Sequence, residues 1–229
     1  MKLTLPKQIK SSSVSKTENE ILIMQRLVWN FEFSFEQTTP LTTLGHHAQD
    51  NLKWEKRYFW PADQIIRLNT IDSSLLDLAN YQKKHKEDYY YLLPDSDHNI
   101  KQRRNELLYK PLIKQSGSVL GFGPKVHLEN PQNLSCHGDA GQLNRQELLK
   151  KIKEKGMVVF VKKEAFVFKF PTTPTVKLEL ARLEVKDKVY FSACIEGRSL
   201  NLVETISVLL FGTQPSFEYV TFLKKTLKT

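Results

Sequence analysis

Ile100-Lys101-Gln102-Arg103-Arg104-Asn105-Glu106-Leu107-Leu108-Tyr109-Lys110 reads as two β-strands joined by a turn at Asn105-Glu106. Successive side chains of a strand point to opposite faces, so Lys101 and Arg103 share a face, and the turn brings Lys110 onto the neighbouring strand. Three cations then converge. Like charges facing one another across a sheet are unfavourable, so the cluster implies either solvent on that face or an anionic ligand that neutralises it. A second cationic stretch, Phe160-Val161-Lys162-Lys163-Glu164-Ala165-Phe166-Val167-Phe168-Lys169-Phe170, has the same character.

Working outward, Leu27, Trp29, Phe31, Phe33 and Phe35 alternate with polar residues, which predicts one long strand with Glu32 and Glu36 on its polar face. A strand is expected at 54–60, ended by Pro61. Asp72 can cap a helix running to about Gln82, with Lys83-Lys84-His85-Lys86 as its solvated end. Tyr89 to Leu93 reads as a strand. Residues 115–141 hold five of the nine glycines and two prolines and are expected to be a long loop. A helix at 144–155 stops at Gly156, strands follow at 176–185 and 189–196 about a turn at Lys186-Asp187-Lys188, and two helices occupy 200–210 and 216–227. Strands outnumber helices and hairpin links dominate. The expected class is therefore α+β, an antiparallel β-barrel with helices packed outside. Residues 1–20, rich in Lys, Ser and Thr, read as a flexible arm before a single domain at 21–229.

The chain has 229 residues and a formal net charge of +9 from 34 Lys and Arg against 25 Asp and Glu. With a sequence pI of about 9.4, this favours an anionic partner: nucleic acid, a nucleotide or polyphosphate, or an acidic membrane surface. Cys136 and Cys194 are too few for a disulfide framework. No apolar run reaches the roughly 20 residues that span a bilayer, so a cytoplasmic protein without membrane attachment is expected. The oligomeric state is not encoded in any of these features.

Acidic residues complete the pattern. If the faces carrying Glu179 and Glu196 join that of Glu32, one barrel interior holds several Lys and Arg together with three carboxylates. Such a cavity suits a triphosphate, since cations bind phosphate oxygens while carboxylates hold a divalent ion that bridges them. The same residues also fit solvated strand faces with ordinary cross-strand ion pairs, each worth roughly 0.2–1 kcal/mol. Spacing alone leaves both readings open.

The order of these pieces resembles the CYTH superfamily, the triphosphate tunnel metalloenzymes that include adenylate cyclases, thiamine triphosphatases and inorganic triphosphatases. Tyr58-Phe59-Trp60-Pro61-Ala62-Asp63 is similar to the family's Tyr-Phe-Asp-Thr-Pro-Asp segment. Lys101-Gln102-Arg103 resembles its basic-x-basic strand, Leu107-Leu108-Tyr109-Lys110-Pro111 its strand ending in Lys-Gly-Pro, and Leu178-Glu179-Leu180 and Ile195-Glu196-Gly197 its two later acidic strands. The likeness spans about residues 27 to 211. It departs at the opening Glu-x-Glu-x-Lys motif, for which this chain offers Glu32-x-Ser34-x-Glu36, and at the closing Glu-x-Glu, where Cys194 takes the first place. The resemblance implies a phosphoryl group held by Lys101, Arg103, Lys110 and Lys163, with Mg²⁺ or Mn²⁺ on Glu32, Glu179 and Glu196. It implies attack of water, or of a ribose hydroxyl as in a cyclase, on that phosphoryl group, and hydrolysis is the expectation because nothing in this chain looks like a base-recognition element.

A non-catalytic nucleic-acid or polyanion binder using the same basic strands is the competing expectation, and a scaffold without ligand is a third. Asp95, Asp97, Asn99 and Glu106 mimic part of a calcium loop, but Ile100 stands where such a loop needs glycine, which leaves a polar turn. Gly121-Phe122-Gly123-Pro124, His46-His47, Cys136-His137-Gly138-Asp139 and Asn133-Leu134-Ser135 are each too short or too isolated to carry a site. Phe211, Phe217, Tyr219 and Phe222 are expected to pack the outer helices on the barrel.

Overall fold

The expected alternation produces a ladder of long antiparallel strands. The computed structural model describes residues 24–34, 44, 46–129 and 145–228. The expectations for the arm at 1–20, for Phe35 and Glu36, for Asn133 to Ser135 and for Cys136 to Asp139 lie outside them. In chain order the strands are β1 (Met24–Val28), β2 (Phe31–Ser34), β3 (Lys53–Pro61), β4 (Ile66–Asn69), β5 (Gln82–Leu92), β6 (Asn99–Arg103), β7 (Glu106–Lys110), β8 (Leu112–Ser116), β9 (Val119–Phe122), β10 (Val126–His127), β11 (Met157–Lys169), β12 (Lys177–Val185) and β13 (Lys188–Gly197). The helices are α1 (Arg145–Lys155), α2 (Leu200–Phe211) and α3 (Tyr219–Lys228).

Ten strands form one sheet in the order β10-β7-β6-β5-β11-β12-β13-β3-β9-β8. Seven strands separate β7 from β8 in that order, yet Pro111 alone joins them along the chain. Only Gly123-Pro124-Lys125 joins β9 near one edge to β10 at the other, and the Gly123 N–H donates to the Pro111 carbonyl at 3.0 Å. The sheet therefore curls until its two edges meet, as a barrel requires. This is the α+β architecture expected from the sequence.

Side-chain alternation then sorts the molecule into an inside and an outside. On the convex face Trp54, Tyr58, Trp60, Phe168, Leu178, Leu180 and Ile195 pack under α2, whose Leu202, Val203, Ile206 and Leu210 are buried. A separate three-stranded sheet, β1-β2-β4, adds Phe31, Phe33, Ile66 and Leu68 to the same core. Helix α1 covers the outside of β6 and β7 through Leu148 and Ile152. The inward face carries a third cluster, in which Tyr219, Val220 and Leu223 of α3 pack on Val159, Val161, Leu183 and Val185. Phe222 stacks on Phe59 with ring centroids 3.9 Å apart. Of the aromatics expected to pack outer helices on the barrel, Phe211 does so, whereas Tyr219 and Phe222 pack from within and Phe217 is exposed ahead of α3. One end of the barrel interior is filled by α3.

Five local readings need correction. The strand expected at 27–35 is a hairpin, because the chain reverses at Trp29, whose φ is 48°, and Asn30, whose side chain donates to the Ala62 and Gln64 carbonyls. The helix expected from Asp72 is two short 3-10 turns, Ser73–Leu76 and Leu78–Asn80. Asp77 accepts from the Ala79 N–H and so begins a new cap where a helix would have continued. Lys83 to Lys86 consequently lie in β5, paired with β11, and not on a helix end. The loop expected from residue 115 begins as a hairpin, β8 to β9, that turns at Gly117 with φ 55°. The cationic hairpin turns at Arg104-Asn105, both with positive φ (49° and 64°), the arrangement that matches strand twist in a two-residue loop. Asn99, rather than Lys101, is thus opposite Lys110, a two-residue difference that leaves Lys110 on the same face.

Candidate functional site: a cationic barrel interior

Inside the barrel, ahead of α3, lies a cavity of about 450 Å³. Eleven Lys and Arg side chains line it against four glutamates. Because each strand presents alternate residues, each contributes charges two apart: Lys53, Glu55 and Arg57 from β3, Lys84 and Lys86 from β5, Lys101 and Arg103 from β6, and Lys177 and Glu179 from β12. Lys110, Lys163 and Glu196 arrive singly from β7, β11 and β13.

The structure brings together Lys101, Arg103, Lys110, Lys163, Glu179 and Glu196, six of the seven residues singled out from the sequence. It does not bring Glu32. That residue sits in β2 of the separate sheet and pairs with Arg26 at 2.8 Å. The expectation that Glu32 joins Glu179 and Glu196 around a metal is corrected here: the hairpin at Trp29-Asn30 puts the strand outside the barrel. The carboxylate that faces the cavity from the early part of the chain is Glu55. Its signal is the period-2 run Lys53-x-Glu55-x-Arg57, inside a strand that its aromatics alone make recognisable.

Four carboxylates organise the cations. Glu179 receives Lys163 Nζ at 2.8 Å, Arg57 Nη1 at 3.2 Å and Lys86 Nζ at 3.7 Å. Burial would raise its carboxyl, but Lys163, Arg57 and Lys86 together hold it well below the usual range. Glu55 pairs with Lys110 at 2.5 Å and Lys53 at 3.9 Å. Here too burial opposes ionisation and is overcome by Lys110, Arg57 and Lys53, which bring the carboxyl down to about 2. Asp88, 3% exposed, accepts Arg103 through both oxygens at 2.5 Å and Lys101 at 3.1 Å. Glu196 takes Lys53 at 2.7 Å and Lys177 at 3.9 Å. Sequence reasoning misses Asp88, Lys86 and Arg57. For the first two, register across the ladder depends on where the 82–92 segment becomes a strand, and Arg57 shares the strand face of Glu55.

The positive excess shows in the lysines. Burial, with Arg103 and Lys163 nearby, lowers Lys101 to about 7 despite Asp88. Burial and the facing Lys163 lower Lys86 to about 8 despite Glu179. Glu218, at the entry to α3, accepts the Thr221 N–H at 2.8 Å, and burial raises its carboxyl to about 7. It is therefore only partly ionised near neutrality and offsets the positive field correspondingly less than Glu55 or Glu179. The Lys110 ammonium lies 3.7 Å from the centroid of the Phe122 ring, which fixes its position.

The residues present do not fit a divalent metal. Among the described residues no group of three Asp, Glu, His or Cys side chains is placed to hold one, and Glu55, Glu179 and Glu196 each already carry at least two cations. Cys194, which faces inward opposite Arg57, is fully buried, and burial pushes its thiol up to about 12. Elsewhere Asp97 of the calcium-like turn pairs with Lys224 of α3 at 2.7 Å, and His47 Nε2 bonds the Leu44 carbonyl at 2.6 Å. No helix among the described residues is long and apolar enough to cross a membrane.

No family model matches the chain, and no curated protein matches it. Among solved structures it is similar to a protein of Bacillus halodurans proposed as an adenylate cyclase, at 10% identity over 65% of this chain and 86% of that one, with a TM-score of 0.37. It is also similar to a protein of Hippeastrum proposed as an adenylyl cyclase and described as having a dominant triphosphatase activity, at 9% identity over 76% of this chain and 96% of that one, with a TM-score of 0.41. At these values the functional reading rests on the cavity's own residues.

Proposed function

We propose that this chain binds a small linear polyphosphate, either inorganic triphosphate or the triphosphate of a nucleotide, inside the barrel. The observation that carries the reading is the convergence, among the described residues, of eleven cations and four glutamates on one cavity of about 450 Å³. Ligand pockets for small molecules run from roughly 300 to 1,000 Å³, so the space suits a compact anion. Linked phosphates satisfy ammonium and guanidinium groups spaced along facing strands, with Arg103 offering the N–H groups that its paired bonds to Asp88 leave over and the lysines point charges. The cations point inward, with α3 filling one end of the interior, which supports a small anion over a nucleic-acid strand.

Binding is the function derived from these contacts. Metal-assisted cleavage of the anhydride is not, since the carboxylates are committed to lysine and arginine. Isothermal titration of tripolyphosphate and ATP into the protein at fixed salt, with a single-stranded oligonucleotide as comparison, tests the reading. Stoichiometric binding of the small anions is expected. Binding of the oligonucleotide alone would move the function to nucleic acid. Phosphate release from the same ligands, followed colorimetrically, separates hydrolysis from binding.

A further inference from the structure

Glu55 of β3 and Glu196 of β13 are direct cross-strand partners on the inward face. Two carboxylates in that relation repel and call for a cation between them. Lys53, two residues before Glu55 on the same strand face, supplies it: its Nζ is 2.7 Å from Glu196 Oε2 and 3.9 Å from Glu55 Oε1. We propose that the Lys53 ammonium is a built-in replacement for a divalent ion at this carboxylate pair, so that the cavity takes up polyphosphate without metal. The inference rests on the polyphosphate reading of the cavity and adds to it the identity of the bridging cation.

The chemistry is consistent from both sides. A divalent ion at Glu55 and Glu196 would have to displace Lys53 from one of them and meet Lys110, which already holds Glu55 at 2.5 Å. An ammonium has three N–H donors and no need of a third carboxylate. It can bond Glu196 and still present a donor to a phosphate oxygen, the bridging role otherwise given to a metal. Lys53 remains charged in this place, since the cost of burial is outweighed by Glu196 and Glu55.

The test uses the intact protein, tripolyphosphate as ligand, and Mn²⁺ as the metal probe. In EDTA, wild type is expected to bind tripolyphosphate, and Mn²⁺ alone, followed by its EPR signal, is expected not to bind. Lys53→Glu adds a third carboxylate beside Glu55 and Glu196, and is expected to gain Mn²⁺ binding while losing tripolyphosphate binding in EDTA by roughly a hundredfold. Lys53→Met is expected to weaken tripolyphosphate binding by about tenfold without gaining Mn²⁺ affinity. Far-UV circular dichroism establishes that each variant is folded. If wild type binds tripolyphosphate only when Mn²⁺ or Mg²⁺ is added, the inference is overturned and the polyphosphate reading stands. If wild type binds it under neither condition, the polyphosphate reading itself fails. A folded Lys53→Glu protein that takes up no Mn²⁺ also overturns the assignment of Lys53 to a metal's place.

Discussion

Lys86 of β5 and Lys163 of β11 stand directly opposite one another inside the barrel. The pair is held by one shared acid, Glu179, at 3.7 Å from Lys86 and 2.8 Å from Lys163. Two ammonium groups on one carboxylate leave a positive site that a further anion, or loss of a proton from Lys86, can neutralise.

A pH dependence of binding follows. Lys101 and Lys86 are lowered to about 7 and about 8 in the empty cavity. A bound polyphosphate favours their charged forms, so their values rise on binding and protons are taken up. The contribution of these lysines to affinity is therefore complete only well below pH 7 and declines as the pH rises through about 7 and about 8. Calorimetric titrations across that range, repeated in buffers of different ionisation enthalpy, are expected to show both the decline and the proton uptake. An affinity that is flat with pH would contradict the charge balance described for the cavity.

Acid should destabilise the fold through Glu55. Its folded value of about 2 lies below the ordinary glutamate value of 4.5, so it stabilises the protein above pH 4.5 and that contribution is lost as the pH falls towards 2. The displacement corresponds to about 3 kcal/mol at most. Melting temperatures measured from pH 6 to pH 2 are expected to fall, and Glu55→Gln should show a lower Tm at pH 6 with a shallower acid slope.

Asp88 neutralises Arg103 and Lys101 within a nearly closed environment. Breaking a buried pair by removing one partner costs roughly 3–5 kcal/mol, because the remaining charge is uncompensated. Asp88→Asn is expected to be destabilised by that order in urea denaturation. Tripolyphosphate should restore more stability to the variant than it adds to wild type, since it replaces the missing negative charge.

Helix α3 should be a packed part of the barrel and not an appendage. Phe222 stacks on Phe59 and meets Tyr190 edge-on at 5.2 Å between centroids. Phe222→Ala is expected to cost roughly 3 kcal/mol in urea denaturation. A change below about 0.5 kcal/mol, the scale of an ordinary surface substitution, would show that α3 is not seated inside.

Much of the barrel is legible from period-2 alternation, because an antiparallel sheet with a distinct inside imposes it on every strand. Lys101, Arg103 and Lys110 can be placed on one face without knowing the turn, since the observed two-residue difference preserves facing. Glu32 fails for the complementary reason. Its alternation is as regular as that of β3, and alternation does not say which sheet a strand joins. The aromatic weight of the 27–35 run marks a core strand correctly but conceals that its core is the convex one. The strand character of Lys83 to Lys86 is hidden because four polar residues in a row carry no hydrophobic period, and pairing with the 13-residue β11 decides their conformation. The ion pairs Arg57–Glu179 and Lys110–Glu55 join residues 122 and 55 positions apart: the first needs the register of β12 and β3 on either side of β13, and the second the curl that brings β7 over to β3.

The proposed function places linked phosphates among the inward cations. A crystal structure of the protein grown with tripolyphosphate in EDTA shows whether they lie there. Density for the anion is expected inside the barrel, within hydrogen-bond distance of Arg103 and Lys163 and with no metal ion beside it. Density for the anion only on the outer surface, with the cavity holding water alone, would contradict the account.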